Sequence, residues 1–164
     1  IIYVPRFDYI QGRIFSFFNK EIGTHNFQSD KAIESITSGG FFGKGIGEGV
    51  LKNRVPEAHT DYIISVISEE FGVVAIMLIL LLFLIFIYMV FKKISFETND
   101  KAKLILIGSI SLILMQATIH IGVNIRLFPT TGMTLPFLSY GGSSIISTSI
   151  LAGIILNLTK RKIT

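Results

Sequence analysis

Between Phe71 and Phe91 the chain carries no charged side chain, and the same holds from Leu104 to Asn124 and from Phe137 to Thr159. Each run reaches the ~20 residues that a helix needs to cross ~30 Å of hydrocarbon. A soluble core accommodates one such helix, but three in succession, in a chain that is 50% hydrophobic, point to a bilayer as solvent. The pattern predicts an all-α polytopic membrane protein. Three transmembrane helices are expected at about 62–91, 104–124 and 137–159, after a long extracytoplasmic loop over residues 1–61.

Inside that loop the spacing changes. Ile10, Ile14, Phe17 and Phe18 recur at helical intervals within Ile1 to Asn19, which predicts a short amphipathic helix on the membrane surface. Gln28 to Ser38 predicts a second short helix. Next comes "GGFFGKGIGEGV", with six glycines between Gly39 and Gly49. That density does not support a helix interior, so a loop or re-entrant segment is expected. Non-helical backbone near membrane depth is tolerated only against protein or a water-filled cavity.

The first span opens on polar residues. Pro56 closes the loop and Thr60 is a suitable helix N-cap. Asp61, Ser65, Ser68 and Glu69 then fall at i, i+4, i+7 and i+8 and share one face, expected to look onto a polar cavity. Asp61 lies near a helix N-terminus, with Lys52 and Arg54 close in sequence. Both circumstances favour an ionised carboxylate, which is the form a general base needs. Support of the helix start alone is an equal alternative on these grounds. His59 reads first as a solvated loop residue, then as a base or metal ligand. Gln116, His120 and Asn124, spaced by four on the second span, read as interhelical hydrogen-bonding groups rather than a proton relay. "FPTTGMTLPFLSYGGSS" reads as an irregular turn leading into the third span, where Ser139, Ser143 and Ser147 follow at spacing four.

Charge sets the orientation. Lys92, Lys93, Lys101 and Lys103 lie between the first two spans, and Lys160, Arg161 and Lys162 follow the third. Short basic flanks stay cytoplasmic, so residues 1–70 and 125–136 are expected outside. The net charge of +4 reflects these anchors, and no interleaved basic and aromatic patch suggests nucleic acid. With no cysteine, disulfides cannot order the loop, which must pack on the membrane domain. A chain that starts outside without a signal peptide is expected to be the C-terminal part of a longer polytopic protein. The glycines read as a turn rather than a phosphate cradle, since Lys44 is followed by Gly45, not Ser or Thr, and no strand precedes them; Lys44 and Lys52 can still serve as point charges for a phosphate. No ligand spacing demands a metal or other cofactor. A divalent cation bridging Asp61 or Glu57 to a pyrophosphate remains compatible with the residues.

Three stretches, "SGGFFGKGIGEGV", "VPEAHTDYIISVISEEFG" and "TTGMTLPFLSYGGSS", together with the gaps between them, resemble the signature segments of the shape, elongation, division and sporulation (SEDS) proteins, the FtsW/RodA/SpoVE family. The resemblance covers nearly the whole chain and is closer to the division branch than to the elongation branch. It implies a fragment of a ten-helix bundle: the last three helices and the large loop before them. It implies a peptidoglycan glycosyltransferase of the bacterial inner membrane that polymerises lipid II during division. The partners implied are a class B penicillin-binding protein transpeptidase and other divisome proteins. Asp61 is then the catalytic carboxylate that deprotonates the acceptor hydroxyl. Lys52, Arg54, Glu57, His59, Ser139 and Gly141 become substrate-binding candidates. Val55 replaces the usual Leu, His120 stands where Asn is expected, and Arg126 is unexpected. A lipid II flippase and a non-catalytic division scaffold are the alternatives. Intramembrane charges at mid-depth would favour the flippase, whereas here they cluster at one mouth.

Overall fold

The structure, a computed structural model, describes residues 24–50, 54 and 58–160. The expected surface helix over Ile1 to Asn19, and Lys52, Glu57, Arg161 and Lys162, lie outside the described residues. Four helices follow one another: α1 (Thr24–Gly39), α2 (Ile63–Phe96), α3 (Asp100–Asn124) and α4 (Gly142–Thr159). Among the described residues there is no strand. Helices α2, α3 and α4 are each long and apolar enough to cross a membrane.

The three long helices alternate in direction. Asn99 caps α3 by accepting from the backbone of Lys101 (3.0 Å) and Ala102 (3.4 Å), so the turn after α2 takes only residues 97–99. Val90, Ile94, Leu106, Ile110, Ile113 and Ile155 form a closed apolar cluster toward this lysine-rich end. At the opposite end Ala32, Ala58, Tyr62, Val66 and Val123 tie α1 to α2 and α3. Between the two, Ile64, Ala117 and Leu135 bring the 125–141 loop into the core. Helix α4 starts at Gly142, five residues beyond the apolar boundary at Phe137, because 136–138 form a turn that folds back over α2.

Helix α2 is not continuous. Gly72 adopts φ 79° and ψ −178°, which breaks the i→i−4 ladder. In a regular helix the amides of Val73 and Val74 would bond to Glu69 and Glu70. Instead Val73 N donates to Gly40 O (3.0 Å) and Val74 N to Phe41 O (3.4 Å), while Lys44 N and Gly45 N donate to the vacated Glu69 O (2.9 Å) and Glu70 O (3.1 Å). The glycine loop is spliced into the helix by its own backbone. The approach excludes side chains: a Cβ on Gly43 would lie 2.2 Å from Glu70 O, and one on Gly72 2.2 Å from Phe41 O. The expected loop is thus found against protein, with its cause in the backbone of α2.

Side chains then lock the splice. Glu69 is buried, accepts from Lys44 Nζ at 2.9 Å and from Val50 N at 3.0 Å, and so holds both arms of the loop. Replacing Lys44 with methionine removes a charge-assisted bond to a carboxylate whose side chain is only 3% exposed. The expected loss is about 1.5–3 kcal/mol, read as a lowered unfolding midpoint of the full-length protein in detergent. An unchanged midpoint would show that the bond to Lys44 is not what holds that carboxylate.

The far end of α3 has its own closure. Leu127 N donates to Gly122 O (2.7 Å) and Arg126 N to Val123 O (3.1 Å), the paired bonds of a Schellman ending. The left-handed position normally given to glycine is filled by Arg126, at φ 60°. Its guanidinium pairs with Asp30 of α1, which accounts for an arginine here. That pair is partly exposed and worth little. Arg126→Gly is therefore expected to raise stability by about 0.5–1 kcal/mol, since the backbone relief outweighs the lost pair. Chemical denaturation of the two proteins checks this, and a destabilised glycine variant would reverse the order of the two terms.

Candidate functional site

The segment before α2 carries the proposed base, and its conformation is imposed from outside. The first helical residue is Ile63 and its N-cap is Tyr62, which makes no side-chain cap bond. Thr60, the expected cap, lies in the preceding turn. A helix start leaves its first amides without intrahelical partners. Here the amide of Ser65, third in the helix, donates to Asn124 Oδ1 at 3.2 Å, and Ser65 Oγ donates to the same oxygen at 2.8 Å. A side chain from α3 thus performs the capping that Tyr62 cannot.

The carbonyls of the same segment are also taken up, one after another. Tyr140 N donates to His59 O (3.1 Å), Ser139 Oγ to Thr60 O (2.9 Å) and Asn124 Nδ2 to Asp61 O (2.9 Å). Ser139 Oγ also accepts from Leu135 N at 2.8 Å, which sets its hydroxyl. Asp61 is 6% exposed and Tyr62 fully buried. The result is a carboxylate on a backbone fixed by α3 and by the loop before α4.

Behind this segment Gln116 and His120 hold that loop, while Asn124, on the same edge of α3, holds the start of α2. Gln116 Nε2 donates to Thr134 O (2.9 Å) and to Ser144 Oγ (3.0 Å). His120 Nδ1 lies 2.9 Å from Met133 O; a carbonyl only accepts, so that nitrogen carries the hydrogen. His120 Nε2 and Ser68 Oγ are buried without a partner among the described residues. The polar stripe of α2 therefore does not face one open cavity. Ser65 meets Asn124, and Glu69 meets the glycine loop.

The candidate residues fall into separate surroundings. His59, Ile63, Leu138 and Tyr140 line a groove of about 470 Å³ beside the Asp61 segment. Arg54 lines a polar cavity of about 220 Å³ with Lys31, Glu34, Lys44 and Glu69. There the Lys31 ammonium, bonded to Glu34, holds the Glu34 carboxyl below its usual range, with smaller help from Arg54 and Lys44. Gly141 borders a third hollow with Gln116, Thr134 and Ser144. The structure thus places Ser139 and Tyr140 on the backbone of the segment that holds His59 and Asp61, while Arg54 and Gly141 line other hollows. Among the described residues no three His, Asp or Glu groups are placed to hold a metal. Sequence reasoning missed Lys44 as the partner of Glu69. No periodicity links the two, because the loop meets α2 through the break at Gly72.

Comparison with known proteins places the chain. A family model for FtsW, RodA and SpoVE, described as "Cell cycle protein", matches residues 1–163. The chain belongs to this family. It is 38% identical over 160 residues to the "Probable peptidoglycan glycosyltransferase FtsW" of Enterococcus hirae, covering 96% of this chain and 40% of that protein. The protein of the same description from Caulobacter vibrioides is 38% identical over 159 residues, covering 95% and 40%. A solved structure described as "Structural coordination of polymerization and crosslinking by a peptidoglycan synthase complex" superposes with a TM-score of 0.72. Its identity is 28%, covering 92% of this chain and 41% of that one. The chain therefore spans about 40% of the length of the curated relatives it matches. Family and helices together make it part of a multi-pass membrane protein.

Proposed function

We propose that the full-length protein is a peptidoglycan glycosyltransferase that polymerises lipid II into glycan strands during bacterial division, with Asp61 as its base. The observation that supports this most directly is the Asp61 segment. Three consecutive carbonyls are each bonded by a donor from a distant part of the chain, at 2.9–3.1 Å. Fixing the backbone that bears a carboxylate serves proton transfer at a defined atom.

In this reading a hydroxyl of the acceptor sugar attacks the anomeric carbon of the donor. Its proton passes to the Asp61 carboxylate as the new glycosidic bond forms. The bond from that carbon to the lipid pyrophosphate breaks, and the pyrophosphate leaves with the electron pair. Arg54 and Lys52 supply positive charge for the leaving group, and His59 and Glu57 border the sugars. Ser139 acts through Thr60, and Gly141 shapes the start of α4. The lysine-rich end is cytoplasmic by the positive-inside rule, so Asp61 faces outward. The membrane is the bacterial cytoplasmic membrane. The partners are a class B penicillin-binding protein transpeptidase and other division proteins.

The test is polymerisation of lipid II by the full-length protein with its transpeptidase partner, comparing wild type with Asp61→Asn. Movement of labelled lipid II across vesicles is followed in parallel. Loss of polymer in a folded, partner-bound variant is expected. Normal polymer from the variant overturns the role of Asp61. A wild type that moves lipid II but makes no polymer makes the protein a flippase.

A further inference from the structure

We infer that Asn124 is a positioning residue for the Asp61 carboxylate, an inference that rests on the reading of Asp61 as the base. Asn124 closes α3 at the end where α2 begins, and it is 0% exposed. A primary amide offers two donors and an oxygen with two lone pairs, and every one of them is used. Nδ2 donates to Asp61 O at 2.9 Å and to His120 O at 2.9 Å. Oδ1 accepts from Ser65 N at 3.2 Å and Ser65 Oγ at 2.8 Å. The two halves of the amide therefore grip two different features: Nδ2 the residue that bears the carboxylate, and Oδ1 the first turn of the helix that follows.

That division of labour is what ordinary interhelical bonding lacks. An amide that only glued α3 to α2 would be served by any polar group along the interface. This one bonds the Asp61 carbonyl itself and substitutes for the cap that Tyr62 does not provide. His120 O anchors the amide plane from the preceding turn of α3, so its orientation is inherited from the helix. Rotation about the Asp61 to Tyr62 link, which would swing the carboxylate, is resisted on both sides. Ser139 and Tyr140 hold the two preceding carbonyls, but neither touches residue 61 through its backbone oxygen. A shift of about 1 Å at a reacting group costs on the order of 100-fold in rate, so the amide's contribution should be visible in turnover.

Two variants of the full-length protein, assayed with the transpeptidase partner on lipid II, test the inference. Rates are normalised to folded, partner-bound protein. Asn124→Leu keeps the branched outline, with some added bulk, and removes all four bonds. It is expected to lower kcat about 10- to 100-fold, with KM within about twofold. Asn124→Asp keeps the shape and the oxygen that accepts from Ser65 but removes the amide hydrogens that Asp61 O and His120 O accept. It is expected to lower kcat about 10-fold, again with KM within about twofold. A purely structural loss would lower the yield of folded protein and leave kcat of the folded fraction in place. An unchanged kcat in both variants overturns the inference. If Asn124→Leu does not fold, the near-isosteric aspartate variant decides. Asp61→Asn is run alongside. If it is inactive while the Asn124 variants behave as wild type, only this inference falls; if it polymerises normally, both readings fall.

Discussion

Gly72→Ala is expected to abolish the folded protein, at a cost of about 4 kcal/mol or more. Two penalties coincide. The backbone sits at φ 79° and ψ −178°, a region essentially reserved for glycine. The added Cβ would also lie 2.2 Å from Phe41 O and 2.5 Å from Gly43 N, both of them backbone atoms. Neither can yield without parting the loop from α2. If α2 instead straightened into a regular helix, Val73 and Val74 would recover their internal partners. The loop amides of Lys44 and Gly45 would then lose theirs, and Glu69 its place beside Val50. The yield of monodisperse full-length protein and its unfolding midpoint are the measurements. A variant that folds and unfolds within about 1 kcal/mol of wild type would show that the splice is dispensable.

The second large effect concerns turnover rather than folding. Asp61→Asn keeps shape and removes the proposed base, and general-base catalysis is worth about 10²–10⁴-fold. The polymerisation rate is expected near the top of that range, since nothing else in the described segment replaces the carboxylate in that position. Asp61→Glu separates charge from place. It retains the carboxylate but carries it one methylene farther on a backbone that cannot shift to compensate, because the carbonyls of residues 59–61 are all held. An intermediate loss of about 100-fold is therefore expected. If the glutamate variant matched wild type, placement would not matter. If the asparagine variant kept more than a tenth of the rate, the base would lie elsewhere.

Much of this architecture is legible in the residue pattern, because a bilayer punishes charge and so writes its spans plainly. Uncharged runs marked α2, α3 and α4, and spacing by four marked Gln116, His120 and Asn124 as one polar edge. The start of α4 was less legible. Phe137 and Leu138 look like helix residues by hydropathy, but they lie in a turn whose neighbour Ser139 is drawn to Thr60. The stripe from Asp61 to Glu69 was visible as a stripe, but what it faces was not. Its partners are an amide 59 positions from Ser65 and a loop that attaches through backbone atoms, and neither leaves a periodic trace. Thr60 has the chemistry of an N-cap, yet the helix starts at Ile63 because Asn124 supplies the cap from a distance.

The held carbonyls of residues 59–61 have a further meaning in the order of synthesis. A chain is made from its N-terminus, and units fold as they emerge. His59, Thr60 and Asp61 leave the ribosome well before any of their donors. Asn124 comes 63 positions after Asp61, and Ser139 comes 79 after Thr60. A nascent protein that has inserted α2 but not α3 and α4 owns the carboxylate without owning its geometry. The site is therefore assembled last, when α4 enters the membrane. A chain cut short before Ser139 lacks the donors to His59 O and Thr60 O however well its earlier helices are inserted.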